Sequence, residues 1–410
     1  MKGTYKGAAV AVSLLTLFGV AACGNDKKDN TSSSSTTAAG SSTTAASGEV
    51  AAGTLTSDMA AMKLLKPLVA QGKGKVAVLL PDTASSARYV SFDAPLLEQA
   101  FKTAGYASGD YIIDNAQGSA TTMQQQAEAA ITAGASVILI DQLDSGSAAS
   151  IEKDAAAKGV KVVDYDRLTK GGVDGRYYVS FDNVKVGGLI GAGLVQCVSD
   201  WKVSKPQVLF MNGDPTDNNA TLFAQGYHAV IDPKITSGAY TKVAEPGGTW
   251  NNQQALTIFE QQYAANPNIN TVVTANDGLG QSVISALKTK SIRPSTIPTT
   301  GQDATTQGLQ NVLANYQCGT VYKPISVEAQ AAVAIATYLR AGKQPPASLV
   351  NGTTKDTTAS TNVPSVLLTP VWVTAKNMND TVIKDNFVKP SDLCTPELQA
   401  ACQAAGIPTS

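Results

Sequence analysis

The sequence predicts an α/β protein made of two lobes, each a parallel sheet with helices on both faces. Two observations carry this. Short β-branched apolar runs alternate with amphipathic segments, the first four runs starting at positions 76, 111, 137 and 160. That cadence fits strand, helix, strand units. A comparable set follows Lys205, and 410 residues suit two such lobes better than one.

In chain order, positions 1–22 read as an export leader. Lys2 and Lys6 give a positive start, positions 8–20 are largely apolar, and Val20-Ala21-Ala22 precede Cys23. The stretch is too short for an ordinary membrane span. A plain secretory leader is one reading. Cys23 directly after small residues resembles the bacterial lipobox, in which that cysteine becomes a lipidated N-terminus; two lipid signals suffice for stable attachment. Positions 31–48 hold only Ser, Thr, Ala and Gly. Such a segment has no large apolar side chain to bury, and 23–57 is expected to be a flexible tether.

The first lobe begins at Lys75. Its strands are expected at Val76–Leu80, Tyr111–Ile113, Val137–Ile140 and Val160–Val163, with helices over 94–104, 122–133 and 147–158. Gly105, Gly134 and Gly159 follow those helices as stops. The run from Tyr177 to Phe181 carries the chain to the second lobe, whose strands are expected at Val208–Met211, Thr271–Thr274, Ile297–Thr300 and Thr320–Tyr322. Four cysteines remain after Cys23, an even number in an exported chain, so disulfides are expected, with three possible connectivities. The short step from Cys394 to Cys402 favours a local bridge and leaves Cys197 with Cys318.

In open α/β sheets a ligand sits beyond the carboxyl ends of the strands. The polar clusters fall there: Arg88 and Tyr89, Asp164 to Arg167, Asp214 to Asn219, Asn276 and Asp277, Gln302 and Asp303, and Lys323. Any single Asp or Asn also reads as a helix N-cap. Six clusters mixing cations, carboxylates, amides and aromatics suit a neutral polyhydroxylated ligand, because carboxylates accept from hydroxyls while Arg, Lys and Asn donate to oxygens. Aromatic faces such as Tyr89 and Trp250 cover the C–H faces of a sugar ring, although Trp250 reads equally as a core residue of its helix.

Tyr165-Asp166-Arg167, Ser180-Phe181-Asp182-Asn183, Asp217-Asn218-Asn219-Ala220, Asn276-Asp277, Gly301-Gln302-Asp303-Ala304 and Thr320-Val321-Tyr322-Lys323-Pro324-Ile325 resemble the periplasmic sugar-binding proteins of bacterial ABC importers, nearest their xylose-binding branch. The likeness runs in order from about Lys75 to Val373. It implies a type I periplasmic binding fold: Rossmann-like lobes 74–180 with 322–343 and 181–321 with 344–375, joined by three crossovers, and a tail 376–410 with its Cys pair. It further implies that one monosaccharide, xylose or a similar aldose, is closed between the lobes and passed to a membrane permease by a monomer. Matched motif by motif, the ligand-binding residues are Arg88, Tyr89, Asp166, Arg167, Asp217, Asn219, Trp250, Asn276, Asp303 and Lys323. Asp182, Asn183, Asp277 and Gln302 are expected to be caps or hinge supports. The insertion around 351–362 and the tail lie outside the likeness, and a disulfide-pinned cap on the second lobe is the expectation for the tail.

Charge and composition exclude other classes. The net charge is −1 and the pI about 5.9, without the basic footprint of a nucleic-acid binder. One histidine, His228, and no calcium-loop pattern leave no metal site or cofactor to expect. The alternatives are a sugar-sensing lipoprotein that signals to a membrane receptor, and an exported glycoside hydrolase using Asp166 and Asp303. Against the hydrolase, Arg167 beside Asp166 would lower a general acid's pKa.

Overall fold

The computed structural model describes residues 49–83 and 88–408. The expected leader, Cys23 and most of the tether lie outside these residues. Among the described residues no helix is long and apolar enough to cross a membrane.

After α1 (Lys66–Gln71), the first lobe runs β1 (Lys75–Leu80), α2 (Ala94–Ala104), β2 (Tyr111–Asn115), α3 (Ala120–Thr132), β3 (Ala135–Ile140), α4 (Ser145–Ala157), β4 (Lys161–Tyr165) and β5 (Tyr177–Phe181). The second runs α5 (Asn183–Asp200), β6 (Gln207–Met211), α6 (Asn218–Thr236), β7 (Thr241–Ala244), α7 (Asn252–Ala265), β8 (Thr271–Thr274), α8 (Asp277–Thr289), α9 (Thr306–Leu313) and β9 (Thr320–Tyr322). Then come α10 (Ile325–Arg340), β10 (Gly352–Asp356), β11 (Thr361–Leu368), β12 (Val371–Val373), α11 (Pro390–Leu393) and α12 (Gln399–Ala404).

Period-two alternation builds the first lobe. Val76, Val78 and Leu80 face the core shared with α2 and α10, while Ala77 and Leu79 face α3 and α4; Val137 and Leu139 alternate with Ile138 and Ile140 in the same way. The sheet order is β10-β11-β5-β4-β3-β1-β2, with β1 to β5 parallel. In the second lobe β7-β6-β8 are parallel, with Val208 and Phe210 on one face and Leu209 and Met211 on the other. The stretch 297–300 is no regular strand. Pro298 accepts from Val272 N and the Thr300 hydroxyl from Thr274 N, so it lines β8 without a full ladder.

Three short passages join the lobes: Phe181 to Asn183, Tyr322 to Ile325, and Leu368 to Val371. Two expectations change here. The β10–β11 hairpin, placed in the second lobe at 344–375, instead extends the first lobe's sheet, because β11 pairs in parallel with β5. The tether ends before 57. Val50 and Leu55 are buried in the first lobe's core, Ala52 N bonds Ser348 O, and Gln330 Nε2 bonds Thr56 O; apolar side chains at these positions give the segment something to bury, which the Ser/Thr/Ala/Gly stretch lacks.

Cys197 of α5 is bonded to Cys318 just before β9, and Cys394 to Cys402, the pairing that the spacing favoured. The tail buries Met378, Val382, Val388 and Leu393 against Leu309, Val312, Tyr322 and Val373 of the second lobe. Its Phe387 also reaches the first lobe, stacking on Phe92 at 4.1 Å between centroids.

Candidate functional site

A cleft lies between the carboxyl ends of the two sheets, and all ten sequence-predicted residues line it. Arg88 and Tyr89 come from the turn after β1, where Tyr89–Asp93 winds as a single π-helical turn before α2. Asp166 and Arg167 follow β4. Asp217 and Asn219 open α6, Trp250 precedes α7, Asn276 opens α8, Asp303 precedes α9, and Lys323 sits in the second crossover.

The choice between cap and site is not exclusive. Asp217 Oδ1 accepts from Asn219 N at 2.9 Å and Asn276 Oδ1 from Leu279 N at 2.9 Å, capping α6 and α8 while facing the cavity. Asp182 caps α5, and Asn183 bonds Tyr178, Ser180 and Asn219 at the first crossover. Asp277 supports the loop before α9, accepting from Thr305 N at 2.8 Å and Gln317 Nε2 at 2.8 Å.

Two cavity carboxylates sit on strained backbone, Asp166 at φ 56° and Asp303 at φ 100°. The Asp166 turn is braced across the first crossover: its carbonyl accepts from Tyr178 OH, Ser180 Oγ and, from the second lobe, Asn219 Nδ2 at 2.8 Å. Its carboxylate meets Arg88 Nη1 at 2.9 Å, Tyr89 OH at 3.2 Å and Lys323 Nζ at 3.5 Å. Burial pushes this carboxyl up, but Arg88, Lys323 and Arg167 prevail and hold it well below the usual carboxylate range. Arg88 is itself fixed by a two-pronged pair with Asp93 and by Glu328 at 2.7 Å. Lys323 also stands 3.5 Å from Asp303, so one ammonium faces a carboxylate from each lobe.

Trp250 lies over Gly213, where an added Cβ would stand 2.1 Å from the indole. Its Nε1 donates to Asp217 Oδ2 at 3.0 Å. The ring is partly buried, lines the cavity and packs against the second lobe's core.

Two residues that the sequence does not mark as ligands also line the cleft. Gln302, expected to be a support, faces the cavity beside Asp303, and Phe223 joins it from α6. Phe223 lies one helical turn beyond Asn219, so the i, i+4 rule would have placed it on the same face. His228 is elsewhere on α6, between Asp232 and Glu245.

This geometry gathers charged donors and acceptors from both lobes around one cleft. A periplasmic binding protein domain model matches residues 76–344. The D-xylose-binding periplasmic protein of Escherichia coli strain K12 is 37% identical over 284 residues, 68% of this chain and 82% of that protein. The protein of the same name from Haemophilus influenzae is 34% identical over 67% of this chain and 80% of its own length. Among solved structures, a carbohydrate transporter solute binding protein from Chloroflexus aurantiacus in complex with D-glucose superposes with a TM-score of 0.69 at 26% identity, covering 77% of this chain and 97% of that one.

Proposed function

The chain belongs to the periplasmic binding protein family, and from that premise we propose that it is an extracytoplasmic receptor that closes on one aldose, D-xylose or a close analogue, and delivers it as a monomer to the permease of an ABC importer. The observation that carries this is the convergence of Asp166, Arg167 and Arg88 from one lobe with Asp217, Asn219, Asn276 and Asp303 from the other on a single cavity. Hydroxyls donate to those carboxylates, and ring and hydroxyl oxygens accept from the guanidinium, ammonium and amide groups. Tyr89 and Trp250 cover the ring's C–H faces. The xylose-binding relatives and the glucose-bound neighbour support an aldose as the ligand.

Closure is the working step. Sugar contacts made by both lobes favour the closed form. A shift from mostly open to mostly closed needs about 5 kcal/mol of differential binding, within reach of several charge-assisted bonds at roughly 1.5–3 kcal/mol each. No bond is broken: Asp166, held ionised by three cations, is unsuited to be the general acid of a glycosidase.

Calorimetric titration of refolded, sugar-free protein with xylose, glucose, ribose, galactose and arabinose tests this reading. Micromolar or tighter binding of one aldose is expected, and silence across all five overturns it. We also propose that Cys23 carries a lipid that anchors the protein to the cell membrane. Cys23→Ser should release it into the soluble fraction, and continued membrane retention would assign the anchor to another segment.

A further inference from the structure

Arg167 stands between carboxylates of opposite lobes. Its Nε lies 3.4 Å from Asp217 Oδ2 of the second lobe and 3.7 Å from Asp141 Oδ1 of the first. One N–H serves one acceptor at full strength, and both separations exceed the 2.7–3.2 Å of a formed bond. Asp217 has other donors, Asn219 N and Trp250 Nε1. Asp141 does not: it is fully buried, and among the described residues neither of its oxygens accepts a hydrogen bond. A buried carboxylate left in this state is among the costliest arrangements a fold can hold.

Asp141 follows β3 and Arg167 follows β4, neighbouring parallel strands of one sheet, and Arg167 Nη1 already donates to Gln142 O at 3.1 Å. Asp141 and Arg167 therefore travel together when the lobes part, whereas Asp217 leaves with the second lobe. We propose that Asp141 is the open-state partner of Arg167: a positioning residue that takes the guanidinium when Asp217 withdraws and yields it on closure. It touches no sugar and sets affinity by favouring the open receptor. Burial raises the Asp141 carboxyl well above its ordinary value against the opposing charge of Arg167, 3.7 Å away.

This inference rests on the receptor reading above, and its test separates the two. In the full-length, sugar-free protein, the Arg167 Nε–Hε resonance should show a carboxylate-bonded shift that Asp141→Asn and Asp141→Ser both abolish. The same variants should bind D-xylose about tenfold more tightly, because the open form has lost one charge-assisted bond. A resonance unchanged in both variants, or a weaker Kd for D-xylose, overturns the role of Asp141. If the wild type binds no D-xylose, the receptor reading is what fails, and the resonance still decides the partner of Arg167.

Discussion

Trp250 shows how much one side chain decides at this site. Its indole is seated over Gly213, hydrogen-bonded to Asp217 and turned toward the cavity. Trp250→Ala removes a stacking face and leaves Asp217 short of a donor. A sugar affinity weaker by roughly 10- to 100-fold is expected from a loss of about 1.5–3 kcal/mol, read by titration, with the thermal midpoint nearly kept. A collapse of the midpoint with affinity intact would make the ring a core element only. The ten predicted residues stood out in the sequence because they come beyond the carboxyl ends of the expected strands, where topology directs side chains to the cleft. Phe223 was not, because a phenylalanine inside a helix carries the same pattern whether it faces the core or a ligand. Asp141 was overlooked for a related reason: it follows β3 as Asp166 follows β4, but no aromatic or basic neighbour marks it.

Among elements, the helices and strands of the first lobe were the most legible. α2 spans the predicted 94–104, and Gly105, Gly134 and Gly159 each take positive φ at the expected stops. The hairpin β10–β11 was not legible, since a strand's sheet is chosen by the partner edge available, here β5, and not by its own sequence. At the start of α8, burial and the charge of Asp303 raise the Asp277 carboxyl to about 7. The unfolded chain releases that proton near pH 4, so between these values the folded state binds more protons. The stability this group contributes is present below about pH 4 and is lost as pH rises toward 7. The thermal midpoint should therefore fall with pH across this window, and Asp277→Asn should flatten the slope; an unaltered slope would place the titration on another group.

Across the whole molecule, the tail takes part in closing the lobes. Phe387, packed on the second lobe, stacks on Phe92 of the first at 4.1 Å and meets Tyr322 at the second crossover. Such pairs contribute about 0.5–1.5 kcal/mol beyond area. Phe387→Ala should weaken sugar binding roughly two- to tenfold although the residue lies outside the cavity. Equal affinities for variant and wild type would show that the pair survives opening.

Both disulfides lie on one side of the hinge. Cys197–Cys318 and Cys394–Cys402 tie the second lobe and its tail, and among the described residues no bridge spans the cleft. Cross-links that constrain the unfolded chain therefore strengthen one half of the molecule and leave the gate free to swing. The entropic brace of the bridges therefore falls on the second lobe and its tail, and reducing agents would remove it without altering any residue that lines the cleft.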